Sequence, residues 1–223
     1  MFESENNNID FDRYDSVARQ IIEIVNSTKI ELAMVVGGGN IFRGREASSK
    51  VDSTEADSMG MLATIINGIG LREALVRNGA HDTRLITAVA IPGFAEPYIK
   101  NKGRHHLDCG RIVIIAGGLG MPGFSTDSAV AQYANELKCE IIFKASTVNG
   151  VYDSDPRKNK NAKKYDVISH KQAIDERLAI MDATAFTMCE RENMPIFVFN
   201  IKDLSQLPKI IEGDFSLGTL IKS

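Results

Sequence analysis

Three glycine-bearing loops hold the residues whose types and spacing fit phosphate chemistry. The first is Gly37-Gly38-Gly39-Asn40, with Arg43 close behind. Glycines lack Cβ atoms, so their backbone N–H groups can close on a ligand and adopt positive φ. Such loops form concave nests for anionic oxygens, and Arg43 could add a bidentate contact to a phosphate. A tight strand-to-helix turn beside a solvated arginine has the same local sequence, so this stretch alone leaves both readings open.

The second loop runs from Ala116 through Gly117, Gly118, Gly120, Pro122 and Gly123 to Ser125-Thr126-Asp127. It contains a formal GxGxxG at Gly118, Gly120 and Gly123. A dinucleotide fingerprint needs a helix starting within the glycines and an acid ending the next strand. Here Pro122 interrupts the motif, the helix signal comes later at Ser125-Thr126-Asp127, and the next apolar run ends near Lys144. A dinucleotide oxidoreductase is therefore discounted. Ser125, Thr126 and Asp127 are good N-cap types. A glycine loop feeding a helix N-terminus is also an anion site, where an aspartate could hold a metal or organise cations around a phosphoryl group. The third loop spans residues 144–156, with a turn signal at Asn149-Gly150 and another at Asp155-Pro156. Read alone, it is as well explained by a β-hairpin or irregular connector with solvated acids.

Other chemistries find little support. The histidines His81, His105, His106 and His170 show no HExxH or comparable spacing, and there is neither a GxSxG elbow nor a GxxxxGK[ST] loop. Cys109, Cys139 and Cys189 are far apart and odd in number. They suit a reducing cytoplasm better than a disulfide framework or thiolate zinc site.

The elements that must position these loops alternate along the chain. Residues 30–36, 84–90, 111–116, 140–145 and 196–200 read as short buried strands rich in Ile and Val. Between them, residues 12–26 read as a helix with Val17, Ile21, Ile24 and Val25 on one face. Residues 58–77 read as a helix with Met59, Leu62, Ile66 and Ile69 on one face. Residues 127–138 and 180–192 are further helices. The alternation argues for an α/β fold with a largely parallel sheet covered on both faces, whose ligands sit beyond the carboxyl ends of the strands.

With 223 residues and no Pro- or Ser-rich linker, a single domain over 1–223 is expected. The formal net charge of -3 offers no general field for nucleic acid or an anionic membrane, so no nucleic-acid or membrane partner is expected. The apolar runs read as shorter than the roughly 20 residues of a membrane span. The polar, acidic start MFESENNNID does not read as a signal or transit peptide.

Taken in order, the loops resemble bacterial uridylate (UMP) kinase, of the amino acid kinase superfamily. The matching stretches are Val36–Gly44, Asp57–Thr64 with Asn67-Gly68, Gly118–Pro122 with Phe124–Asp127, Val148–Tyr152 with Asp155-Pro156, Met181–Phe186, Pro195-Ile196 with Val198–Asn200, and Gly218–Ile221. Together they run from about residue 9 to the C-terminus. The resemblance implies a three-layer α/β/α fold and transfer of the γ-phosphoryl of ATP to UMP with Mg²⁺, in pyrimidine nucleotide biosynthesis. It also implies a cytoplasmic homohexamer under allosteric control, with UTP and GTP as effectors. By matching positions, UMP would be held by Gly38, Asp57, Leu119, Gly120, Met121, Pro122, Gly123, Phe124, Ser125 and Thr126. ATP would be held by Gly39 and Arg43 at its phosphates and by Ser146, Thr147, Tyr152 and Asp155 on the adenosine side. Asp127 and Arg43 would serve the catalytic centre, with no dedicated metal ligands on the protein.

The chain departs from the family pattern in three places. Asn149 stands where Asp is common, and Thr147 where some members have lysine. The family also opens with a strand ending in Lys-x-Ser/Gly-Gly-Glu, whereas this chain starts at Met1-Phe2-Glu3. The resemblance thus implies that the N-terminal phosphate-binding strand lies upstream of the sequence given, and that this chain without it is compromised in activity. Two rival readings share the fold. One is a nucleotide-binding regulator that has lost catalysis, and the other is a kinase acting on a carboxylate or carbamate.

Overall fold

A computed structural model describes residues 9–44, 50–178 and 180–223. The residues on which the reading of the N-terminus rests, Met1-Phe2-Glu3, lie outside that set. The chain divides into two compact units, Met1–Ala129 and Val130–Ser223.

The first unit opens with α1 (Phe11–Thr28), β1 (Ala33–Val35) and α2 (Ser53–Arg77). It continues with β2 (Arg84–Thr87), β3 (Glu96–Pro97), α3 (Lys100–Asp108) and β4 (Val113–Ala116). Helix α4 (Thr126–Glu136) then passes into the second unit. The four strands form one parallel sheet in the order β1-β4-β2-β3. Its centre, Val113–Ala116, is wholly buried, as an apolar run covered on both faces should be.

Helix α1 forms as its spacing predicts. Asp10 caps it by accepting the Arg13 N–H at 3.1 Å, and Tyr14, Val17, Ala18, Ile21 and Ile24 make its buried face. Lys29 ends it in the left-handed region. Asp52 caps α2 by accepting the Thr54 N–H at 2.9 Å. Here the apolar face read from the spacing is not the buried one. Met59, Leu62 and Ile66 are exposed, and the buried side carries Ala56, Ala63, Thr64, Ile65, Asn67, Gly68, Leu71, Ala74 and Leu75. Apolar residues surround this helix almost evenly, so periodicity does not select a face. The side rich in Gly, Ala and Thr wins because it lets neighbouring backbone approach. By length and composition α2 could cross a membrane, contrary to the expectation that no such run exists. Its buried residues and its packing on α1, β2 and β4 are those of a core helix.

The second unit contains β5 (Ile142–Ser146), β6 (Val151–Tyr152), β7 (Lys164–Tyr165), β8 (Val167–Ser169), α5 (His170–Asp175) and α6 (Ala183–Arg191). It ends with β9 (Ile196–Asn200), α7 (Leu207–Ile211) and β10 (Gly218–Lys222). Its sheet runs β5-β9-β10-β8, parallel except where β10 meets β9, and β6 and β7 pair as a separate antiparallel ladder. Ala131, Ile142, Ile168, Ala185, Phe186, Ile196, Val198 and Ile221 lie in its core.

Candidate functional site

Strands β1 and β4 are parallel neighbours, so the loops that follow them leave the same edge of the sheet, the carboxyl end. Val36 extends the pairing through its N–H to Ile115 O at 3.2 Å and delivers the triplet Gly37–Gly39. Helix α2 lies close beneath. A Cβ on Gly38 would sit 2.8 Å from Ala63 Cβ and 2.9 Å from both Gly60 O and Thr64 N, so only glycine fits there. The loop closes as Ile41 and Phe42 donate their N–H groups to Gly38 O at 2.9 and 3.0 Å.

The second loop is tied to the same helix. Gly117 donates its N–H to Thr64 Oγ1 at 2.7 Å, and Gly123 donates to Asp57 Oδ2 at 2.7 Å. Between them Gly120 N–H turns back to Gly117 O at 2.9 Å. Gly117, Gly118, Gly120 and Gly123 take φ of 84°, 55°, 74° and 85°, the left-handed region that L side chains avoid. Leu119 is half-buried, while Met121, Pro122, Phe124 and Ser125 face solvent. Ser125 Oγ accepts the Ser128 N–H at 3.1 Å, capping α4. Asp127 stands in the first turn of that helix, where the partial positive charge of the N-terminus favours anions. The two loops converge, since a Cβ on Gly37 would lie 3.9 Å from Thr126 Oγ1. Arg43 is exposed, just before residues 45–49, which lie outside the described set.

The sequence reading named Asn67, Thr64 and Asn40 as matching residues and gave them no role. In the structure they support the loops. Asn67 is fully buried and donates through Nδ2 to Gly37 O and to Asn40 Oδ1, both at 2.6 Å. Its Oδ1 accepts from Tyr14 Oη at 2.6 Å and from Asn40 Nδ2 at 3.3 Å. Burial pushes the Tyr14 phenol up to about 12, so it stays protonated as the donor. The sequence signal was a polar amide inside the apolar run ATIINGIG, which costs free energy unless satisfied.

Within the second unit, Ser146 ends β5, and its hydroxyl accepts the Val148 N–H at 3.4 Å. Thr147 O accepts from Asn200 Nδ2 at 3.5 Å. Tyr152 donates its hydroxyl to Asn149 Oδ1, so the asparagine at this position serves the turn. Val151 N–H reaches Thr219 Oγ1 at 2.8 Å. The Asp155 carboxylate turns onto Arg157, accepting from its backbone N–H and its Nε–H, both at 3.0 Å. That guanidinium holds the Asp155 carboxyl below the usual range. Among the described residues no three of His, Cys, Asp or Glu come together as a metal cage.

The amino acid kinase family model matches residues 3–200. The uridylate kinase of Deinococcus radiodurans is 41% identical over 208 residues, covering 93% of this chain and 84% of that one. That of Zymomonas mobilis is 43% identical over 202 residues, covering 89% and 83%. Among solved structures, UMP kinase from Bacillus anthracis superposes with a TM-score of 0.94 at 37% identity, covering 98% of this chain and 90% of its own. UMP kinase from Ureaplasma parvum gives 0.92 at 34%, covering 100% and 94%.

Proposed function

The chain belongs to the uridylate kinase family, and we propose that the loops around α2 hold UMP while the β5–β6 region takes the adenosine side of ATP. The protein is a nucleoside monophosphate kinase, transferring the γ-phosphoryl of ATP to UMP to give UDP and ADP. The observation that carries this is the 41–43% identity to uridylate kinases over about nine-tenths of the chain. The relatives favour neither a carboxylate or carbamate kinase nor a regulator without catalysis.

A UMP phosphate oxygen attacks the γ-phosphorus, and the bond from that phosphorus to the β–γ bridging oxygen breaks, leaving ADP. A phosphate monoester with a second pKa of about 6 is mostly dianionic at pH 7, so the acceptor needs no general base. What remains is positioning and charge stabilisation. Gly38, Gly39 and the loop 119–126 offer backbone donors and a helix N-terminus for phosphate oxygens, apart from Pro122, which has no N–H, and Gly120 and Gly123, whose N–H groups serve Gly117 O and Asp57. Asp57 offers a carboxylate to the ribose hydroxyls. Arg43 supplies positive charge at the ATP phosphates, and Asp127 organises the centre. Mg²⁺ neutralises phosphate charge when bound. Asp127 would be the carboxylate that helps to hold it beside the substrate phosphates.

A homo-oligomer, hexameric by family resemblance, is part of the same reading. The exposed Met59, Leu62 and Ile66 on successive turns of α2 support it. GTP and UTP are its expected effectors. Three cysteines outside any disulfide in the structure accord with a cytoplasmic location.

The test is a panel of UMP, CMP, dTMP, AMP and GMP with ATP and Mg²⁺, read as diphosphate formed. UDP should be the dominant product. Preference for another monophosphate, or for a carboxylate acceptor, would overturn the assignment.

A further inference from the structure

We infer that Asn67 is a positioning residue for phosphoryl transfer, fixing from within α2 the direction in which the first glycine loop presents its backbone donors. The inference rests on the assignment of that loop to the phosphate-bearing ligands.

A primary amide has two N–H donors and an oxygen with two lone pairs. Asn67 uses all four, on Gly37 O, Asn40 Oδ1, Tyr14 Oη and Asn40 Nδ2. The reverse amide orientation would set its oxygen against Gly37 O and Asn40 Oδ1, so the network admits one arrangement. Tyr14 and Asn40 are themselves buried, so a lost partner leaves a buried polar group unsatisfied.

The consequence reaches the loop through one peptide plane. In a trans peptide the C=O of one residue and the N–H of the next point in opposite directions, and no cis peptide is present among the described residues. Holding Gly37 O on the helix side therefore turns the Gly38 N–H the other way, away from Asn67. Gly38 cannot yield by sliding, because Ala63, Gly60 and Thr64 already sit against its Cα. Its own carbonyl is held by Ile41 and Phe42 N–H. The peptide is clamped on both sides, the arrangement that pre-aimed donors require if they are not to reorganise as charge moves. Asn67 lies within the helix beneath the loop, so its contribution falls on the geometry of transfer more than on ground-state affinity.

Two variants of the full chain test this. Asn67→Leu keeps the approximate shape and removes all four bonds. Tyr14→Phe removes one hydroxyl and keeps the ring against Gly70. UMP turnover by the wild-type chain tests the parent reading, and the ratio of variant to wild type tests Asn67. A folded Asn67→Leu should lose roughly 100-fold in kcat, the order expected for misplaced reacting groups. Its KM for UMP should stay within about threefold. Tyr14→Phe should lose roughly fivefold in kcat, the worth of one net hydrogen bond, with KM unchanged. The Gly38 amide resonance should shift on UMP addition in the wild type and much less in Asn67→Leu, a readout independent of turnover. Wild-type kcat and a wild-type Gly38 response in folded Asn67→Leu would overturn the inference. If Asn67→Leu does not fold, Tyr14→Phe decides, and wild-type kcat in it would overturn the inference equally.

Discussion

Thr64 stands one turn before Asn67 and does for the second loop a simpler version of the same task. Its Oγ1 accepts the Gly117 N–H at 2.7 Å and donates to Met61 O at 2.7 Å. Thr64→Val keeps the shape and leaves a buried N–H without a partner, at a cost of about 1–3 kcal/mol. Thr64→Ser keeps the hydroxyl and should recover most of it. Denaturant midpoints of the two variants check this, and a loss in Thr64→Ser with none in Thr64→Val would mean that the methyl group mattered and the bond did not. Arg43 and Asp127 belong to the transition state in this account. Arg43→Ala and Asp127→Asn should cut turnover far more than UMP affinity. Full turnover in the aspartate variant would return Asp127 to a helix-capping role. The glycine-rich loops and the Ser-Thr-Asp turn were legible in the sequence because close backbone approach and capping demand particular residue types. Asn67 and Thr64 were not, because an isolated polar residue in an apolar helix does not say what it meets.

At the scale of elements, the five short apolar runs became strands β1, β2, β4, β5 and β9; the first three are shorter than their runs, β5 extends to Ser146 and β9 keeps its bounds. Strand β10 was missed. GTLIK is too short to show a period, and its place depends on long-range pairing with β8 and β9. Gly218 is required there because a side chain would meet Val198 O and the Phe197 ring. The β6–β7 ladder has only two residues in each strand, too few to separate a hairpin from a connector by pattern, and α3 carries only weak apolar patterning. The junction of α1 and α2 was also unreadable, since it rests on Tyr14 packing over Gly70, where an added Cβ would lie 3.0 Å from the ring, and bonding Asn67. It yields a pH signature. The folded state raises the Tyr14 pKa to about 12, against about 10 in an unfolded chain. This contribution is complete below about pH 10 and is lost as pH rises towards 12, because the unfolded chain releases its proton first. Tyr14→Phe should flatten the fall in stability over that window. Tyr133, also raised to about 12, should keep part of it. An unchanged alkaline slope in Tyr14→Phe would contradict the burial assigned to this phenol.

For the whole molecule, seven motifs in family order carried more information than any one of them, and relatives and solved structures accord with that order. The division into two units was not legible. It falls at Ala129–Val130 inside helix α4, where no linker composition marks it. The exposed stripe of α2 bears on assembly. Leu62→Glu combined with Ile66→Lys should lower the molecular mass measured by light scattering, and an unchanged mass would remove this face from the interface. The central claim is that UMP rests on the loops gathered around α2 with its ribose at Asp57, and calorimetry tests it most directly. Asp57→Asn keeps an oxygen for Gly123 N–H while removing the charge offered to the ribose. A charged acceptor is worth about 1.5–3 kcal/mol. UMP should therefore bind roughly 10- to 100-fold more weakly to the variant, with ATP affinity within about twofold of wild type. Equal weakening of both nucleotides, or undiminished UMP binding, would contradict the account.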